Sequence, residues 1–243
     1  MKRNILLRIA RRIRRDIDNN FGKRASIIKS SNKVSTKLKQ FGNEYGGYQL
    51  ATDFISNTSE LTVLSFGIGE DLSFDEELMN TYDARIYAFD PTPRTKNYVQ
   101  NHVLSQNSKF HFFPYGLSDA DKMQTFYFPK VKEYVFCSTH KQDSVGDASC
   151  QVEMKKFTTI IKECNISKID ILKMDIEGSE FDVMDQILSS DIYISQICLE
   201  VHDYLFNDGT AYEKLSWIIN LLKTNGYKLA YLSESKYEMT FVK

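Results

Sequence analysis

The chain has 243 residues, of which 42% are hydrophobic, 26% charged and 13% aromatic. That suffices for one main core and excludes a disordered, collagen-like or disulfide-stapled chain. The formal net charge of -1 hides a division: residues 1–39 carry thirteen Lys and Arg against Asp16 and Asp18, a net of +11, and the remaining eighteen basic and thirty acidic residues leave -12. A basic arm over 1–39 therefore precedes an acidic body over 40–243.

In the arm, Ile5, Ile9, Ile13 and Ile17 recur every four residues with Arg8, Arg11, Arg12, Arg14 and Arg15 around them, which predicts an amphipathic basic helix. Such a helix suits peripheral contact with an anionic membrane or nucleic acid, and equally suits packing on the acidic body or on a second subunit. Its longest aliphatic run, Ile5-Leu6-Leu7, is far shorter than the roughly 20 apolar residues of a membrane span. It is too short for a signal-peptide core as well. Cys137, Cys150, Cys164 and Cys198 show neither a C-x-x-C pair nor a His at finger spacing, so reduced thiols and a cytoplasmic location are expected.

From residue 61 onward, strand and helix signals alternate. Thr62 to Phe66 reads as a buried strand, and Ser73 with Glu76 three residues later fits a capping box that opens a helix to about Tyr82. Arg85 to Phe89 is the second strand. Thr92-Pro93 then starts a helix toward Leu104, with Thr as cap and Pro where its missing N–H is harmless. Phe110 to Tyr115 is a third strand, Gln124 to Phe128 an extra one ahead of a polar stretch from Lys130 to Ser149, and Val152 to Met154 a short one. A helix over Thr158 to Cys164 leads to the strand Ile169 to Met174. The helix Glu177 to Leu188 follows, with Phe181, Met184 and Leu188 on one face. Ile194 to Val201 is the next strand, and the helix Ala211 to Asn225 stops at Gly226. Tyr227 to Leu232 and Tyr237 to Val242 close the chain as a hairpin. The pattern is that of an α/β doubly wound, mainly parallel sheet covered on both faces, with one antiparallel strand at or near its edge. Ligands of such sheets bind beyond the carboxyl ends of the strands.

Those ends carry the candidate residues. The first strand runs into Gly67-Ile68-Gly69-Glu70-Asp71, where the glycines let backbone approach a nucleotide. A pyrophosphate would meet Glu70 and Asp71 at a helix start that should welcome an anion; these carboxylates suit a cationic ligand such as S-adenosylmethionine. Asp90 ends the second strand, twenty-one residues beyond Gly69, placed to accept from both ribose hydroxyls. Ser118 and Asp119 follow the third strand and either flank an adenine or serve as turn residues. The fourth strand ends in Lys173-Met174-Asp175-Ile176-Glu177-Gly178-Ser179-Glu180, with Asp175 at the strand tip. Acids at a helix start also stabilise its dipole. The fifth ends in Glu200-Val201-His202, where alternation sends Glu200 and His202 to one side and His202 becomes a candidate general base.

VLSFGIGED, AFDPTP, GLSD, ILKMDIEGSEFDVM and LEVH, in this order and at these spacings, resemble the FkbM-type class I S-adenosylmethionine-dependent methyltransferases, and Gly46-Gly47-Tyr48 resembles a GGY element upstream of the core in some relatives. The resemblance covers roughly residues 40–243 and leaves the arm outside. It implies a seven-stranded Rossmann-like fold in which Gly67, Gly69 and Asp90 hold the methionine and ribose portions of the cofactor, beside the Glu70 and Asp71 carboxylates. Ser118 and Asp119 would flank adenine. Asp175, Glu177, Glu200 and His202 would line the reaction cleft, with Tyr48 beside them.

The implied reaction is O-methylation of a hydroxyl on a sugar, glycan or small natural product. A hydroxyl needs a base at neutral pH; His202 is the first candidate, and Asp175 is second or orients the acceptor. Asp175, Glu177, Glu200 and His202 also form an oxygen-rich set able to hold a divalent ion, and the sequence leaves the two routes open. An RNA-directed methyltransferase is the alternative, but the acidic body would repel nucleic acid. The fourth strand also ends in D-I-E-G rather than the Asn/Asp-Pro-Pro-aromatic turn of base amino-methylation. A non-catalytic binding protein on the same fold is the third reading.

Overall fold

The computed structural model describes residues 22–55, 60–129, 145–206 and 209–243. The isoleucine stripe of the arm and most of the polar stretch from Lys130 lie outside the described residues. In chain order the elements are α1 (Lys23–Lys29), the hairpin β1 (Leu38–Phe41) and β2 (Tyr48–Ala51), β3 (Thr62–Phe66), α2 (Ser73–Tyr82), β4 (Arg85–Phe89) and α3 (Pro93–Gln100). Next come β5 (Phe110–Phe113), β6 (Gly116–Leu117), β7 (Lys122–Pro129), β8 (Val145–Lys155), α4 (Phe157–Glu163), β9 (Lys168–Met174) and α5 (Glu180–Leu188). The chain ends with β10 (Tyr193–Glu200), α6 (Ala211–Thr224), β11 (Lys228–Leu232) and β12 (Glu238–Val242).

Seven strands form one sheet in the order β11-β12-β10-β9-β3-β4-β5. Strands β10, β9, β3, β4 and β5 pair in parallel, and β12 is the antiparallel strand, inserted one place from the edge. The order turns at β3, so the crevice between the tips of β3 and β9 is where this topology places a ligand. A separate three-stranded sheet, β6-β8-β7, flanks this core.

Strand alternation divides the core. Leu64, Phe66, Leu172, Met174, Ile197 and Leu199 face α1, α4, α5 and α6 on one side. Val63, Ile86, Ala88, Ile171 and Cys198 face the other side, where Phe41, Tyr48 and Leu50 of the hairpin and Phe74 and Leu78 of α2 cover them. The β1–β2 hairpin, which the sequence pattern does not announce, is fastened by side chains of the sheet. The wholly buried Gln196 bonds both the N–H and the C=O of Ala51 at 3.0 and 3.1 Å, and the Thr240 hydroxyl donates to Gln49 O at 2.5 Å.

Several expected boundaries shift for local reasons. Ser73 is the first helical residue rather than the cap. Its N–H donates to Asp71 Oδ1 at 2.8 Å and its hydroxyl accepts from Asn43 N–H, so Asp71 satisfies the helix start. The helix after Gly178 begins at Glu180, not Glu177, because Glu177 (φ 52°) and Gly178 (φ 101°) take left-handed conformations. The helix from Pro93 ends at Gln100 and is followed by a 3-10 turn over Val103–Gln106. The short strand expected over Val152 to Met154 is part of the longer β8, Val145–Lys155, because the ladder with β7 extends it.

The arm is not wholly separate from the body. α1 packs on α6, and Arg24, 2% exposed, inserts its guanidinium beside Asp203.

Candidate active site at the strand tips

Gly67 must be glycine. Its φ is 73°, and a Cβ there would fall 1.7 Å from the carbonyl oxygen of Asp175, so the tips of β3 and β9 touch through bare backbone. Gly69 follows at φ 55°, and its N–H donates to Asp90 Oδ2 at 3.0 Å. Asp90 Oδ1 accepts from the N–H and hydroxyl of Thr92 at 2.8 and 2.7 Å. Thr95 also bonds this carboxylate, so most of its about four acceptor sites are held by protein groups rather than left as the pair expected for two ribose hydroxyls. Burial raises the carboxyl of Asp90, and these hydrogen bonds oppose the rise.

Two of the expected cofactor acids are engaged with protein groups. Glu70 forms an ion pair with Arg94 at 2.5 Å on the surface, which offsets the charge on which a cationic ligand was to depend. Asp71 accepts from Ser73 N–H and, at 2.6 Å, from the side-chain amide of Asn43. Through Asn43, whose Oδ1 also accepts from the N–H groups of Tyr45 and Gly46, Asp71 anchors the loop from Gly42 to Gly47 beside the glycine turn. Ser118 is buried, with its hydroxyl on Asp119, and Asp119 is exposed and paired with Lys122 at 2.7 Å. Tyr48 is buried under the cleft with its ring edge-on to Phe74, so it shapes the floor.

The tips of β9 and β10 bring the remaining candidates together. Ligand atoms of Asp175, Glu200 and His202 all lie within 4.8 Å of one another. His202 Nε2 faces Asp175 at 3.5 Å, Glu177 at 3.8 Å and Glu200 at 3.8 Å. Its Nδ1 is bonded at 2.8 Å to Glu180, which is wholly buried and also accepts from Ile176 N–H. The left-handed turn at Glu177-Gly178 is what lets one short segment supply Asp175 and Glu177 to the cleft and Glu180 beneath it.

The electrostatics follow from this crowding. Burial alone would depress the His202 imidazolium, but the charge and hydrogen bond of Glu180, with Asp175 and Glu177, outweigh it and hold the group well above its ordinary 6.5. Burial, then the charge of Asp175, push Glu200 up to about 8; His202 opposes and Glu238 and Glu177 add. The same neighbours that fix the ring thus favour its protonated form, and a role as base requires that proton to leave first.

Glu180 and Lys173 are site residues that sequence reasoning passed over, the first as a helix-start acid and the second as a strand residue. Their signal was position: Glu180 closes the same eight-residue block that begins with Lys173. Tyr45 is a third. It is exposed at the tip of the Gly42–Gly47 loop, and its hydroxyl lies within the fields of Asp175, Glu177, Asp71 and Glu200.

The Methyltransferase FkbM domain matches residues 61–229, most of the chain. This chain belongs to the FkbM methyltransferase family. The matched part runs from the start of β3 into β11, so the hairpin β1–β2 that covers one face lies outside it. The AMB antimetabolite synthetase AmbE of Pseudomonas aeruginosa is 24% identical over 195 residues, covering 65% of this chain; the chain spans 9% of that protein's length. Among solved structures, the Methanococcus jannaschii fibrillarin pre-rRNA processing protein matches with a TM-score of 0.41 at 11% identity, covering 77% of this chain and 68% of that one. The M. jannaschii TYW2 in complex with AdoMet matches with a TM-score of 0.34 at 13% identity, covering 85% and 84%.

Proposed function

We propose that this FkbM-family chain transfers a methyl group from S-adenosylmethionine to a hydroxyl oxygen of a sugar, glycan or small natural product. The observation that carries the reading is the convergence of Asp175, Glu200 and His202 Nε2 at the tips of β9 and β10, against the Gly67–Gly69 turn and Asp90. The residues present fit the donor: bare backbone at Gly67, the Asp90 carboxylate held beside Gly69 at the tip of β4, and a cleft dominated by carboxylates for a sulfonium. When bound, the donor supplies an electrophilic methyl carbon.

The protein's own contribution is alignment and handling of one proton. Alignment of donor and acceptor can remove about 7 to 11 kcal/mol of barrier. Glu180 fixes the ring of His202 so that Nε2 faces the cleft, and Asp175 and Glu200 flank the place where an acceptor hydroxyl would lie. Tyr45 stands at the mouth, where an aromatic ring suits the apolar face of a sugar.

A divalent ion is favoured over His202 as free base by one feature. Three carboxylates surround a buried imidazolium whose Nδ1 is already fixed by a carboxylate, the arrangement that commonly supports a metal-bound histidine. Asp175, Glu200 and His202 would hold the ion, which would lower the pKa of a coordinated hydroxyl. The basic arm, by this reading, contacts a membrane surface or a partner and not nucleic acid, and the compartment is the cytoplasm.

Thermal unfolding with S-adenosylhomocysteine tests the donor. At a hundredfold over the dissociation constant the fold should gain about 2.7 kcal/mol, a rise of about 5 to 10 °C, and Asp90→Ala should remove most of it. No shift in the unaltered chain would overturn the reading.

A further inference from the structure

Lys173 lies on the hairpin-covered face of β9, 4% exposed, in register with Ser65 of β3 and Cys198 of β10. An ammonium has three donors, and the hydrogen bond it makes among the described residues is to the carbonyl of Gly67, at 3.2 Å. Asp75, from the first turn of α2 and 1% exposed, is its nearby counter-charge. Among the described residues the polar neighbours of the Asp75 carboxylate are Lys173 and the Ser65 hydroxyl.

Burying a lysine and an aspartate costs several kcal/mol per ion, and well-packed aliphatic side chains of similar volume are often as stable or more so. What an aliphatic residue would not supply is the bond to Gly67. Gly67 is otherwise held at its N–H by Phe89 O at 2.9 Å, and its Cα is packed against the Asp175 carbonyl. Lys173 fixes the remaining side, the carbonyl. The direction of that carbonyl sets the path of Ile68 and Gly69, and so aims the Gly69 N–H at Asp90.

We propose that Lys173 is a positioning residue for the donor-binding turn, with Asp75 as its counter-ion. It touches no reacting atom; it holds the Gly67 carbonyl, and through it the segment on which the amino-acid end of the methyl donor rests. The inference rests on the donor reading given above.

Calorimetric titration with S-adenosylhomocysteine and with adenosine separates this role from a merely structural one. Lys173→Met leaves Asp75 buried without a counter-charge and should lower both stability and affinity. Lys173→Met with Asp75→Asn removes both charges, so the unfolding temperature should return toward that of the unaltered chain. S-adenosylhomocysteine should still bind about 10- to 100-fold more weakly, the span of one hydrogen bond from a charged donor. Adenosine, which lacks the amino-acid end, should bind within about twofold of the unaltered chain in the same double variant. Affinity for S-adenosylhomocysteine that returns with stability, or a parallel loss of adenosine binding, would overturn the proposal. Should the double variant fail to fold, Lys173→Gln with Asp75→Asn keeps a neutral donor within reach of the Gly67 carbonyl and should lose less S-adenosylhomocysteine affinity than Lys173→Met; an equal loss for S-adenosylhomocysteine and adenosine in it would overturn the proposal. Failure of the unaltered chain to bind S-adenosylhomocysteine would instead remove the donor reading itself.

Discussion

Replacing Arg24 by Ala tests whether the described end of the basic arm is part of the fold. Arg24 Nη1 lies 2.5 Å from both oxygens of Asp203, Nε donates to Lys236 O at 2.9 Å, and the guanidinium stands 4.0 Å from the centre of the Tyr237 ring. Both partners of the ion pair are nearly inaccessible, at 2% and 4% side-chain exposure. Removing one member of such a pair leaves an uncompensated buried charge, at a cost of about 3 to 5 kcal/mol. In urea unfolding, with a slope near 3 kcal/mol per M for a chain of this size, the midpoint should fall by about 1 to 1.7 M. The deficit should depend on pH. Burial already raises the Asp203 carboxyl, and Arg24 is the main group lowering it. Without Arg24 the folded-state pKa rises further above the unfolded one, so the variant should recover stability as pH falls and Asp203 takes up a proton. Arg24→Ala with Asp203→Asn should recover at least half of the loss at pH 7. A deficit below about 1 kcal/mol, the worth of an exposed pair, or no recovery in the double variant, would refute the reasoning.

Three further outcomes are expected. Gly67→Ala should abolish binding of S-adenosylhomocysteine and lower the unfolding temperature, since its Cβ would sit 1.7 Å from Asp175 O; retained binding would show that the two strand tips separate freely. Asp75, with its carboxyl raised from 3.8 to about 6 by burial, contributes stability that is present below pH 3.8 and lost as pH rises through 6. Its full value, at about 1.4 kcal/mol per pH unit, is about 3 kcal/mol. Asp75→Asn should flatten the stability profile over that window, and an unchanged profile would place the titration elsewhere. Manganese or magnesium titrated into the chelator-treated chain should bind with release of protons, and Asp175→Asn should weaken the binding at least about tenfold; absence of heat and of any stabilisation by either ion would leave His202 as the base.

The parallel sheet was legible in the sequence because four of five short apolar runs lead directly into a helical pattern, which admits few other arrangements. The ends of those runs put Asp90, Asp175, Glu200 and His202 at the strand tips, since strand ends are where such sheets present side chains to a ligand. Glu70 and Asp71 read as a pair of ligand acids, yet one meets Arg94 and the other Asn43, partners distant in the chain. The hairpin β1–β2 was invisible because its hold on the sheet depends on Gln196 and Thr240, far along the chain.

The sequence by itself determined the fold class, the family and the side chains that crown the strands, because period, caps and motif spacing are local properties. It also determined that a charge of -1 is the sum of a +11 arm and a -12 body. Only the tertiary structure decided what those charges do. It buries Arg24 of the arm against Asp203, sets His202 between Glu180 and three cleft carboxylates, and hides Lys173 beneath Gly67. Charge state and partner depend on burial and on distances across the chain, and no linear pattern carries those.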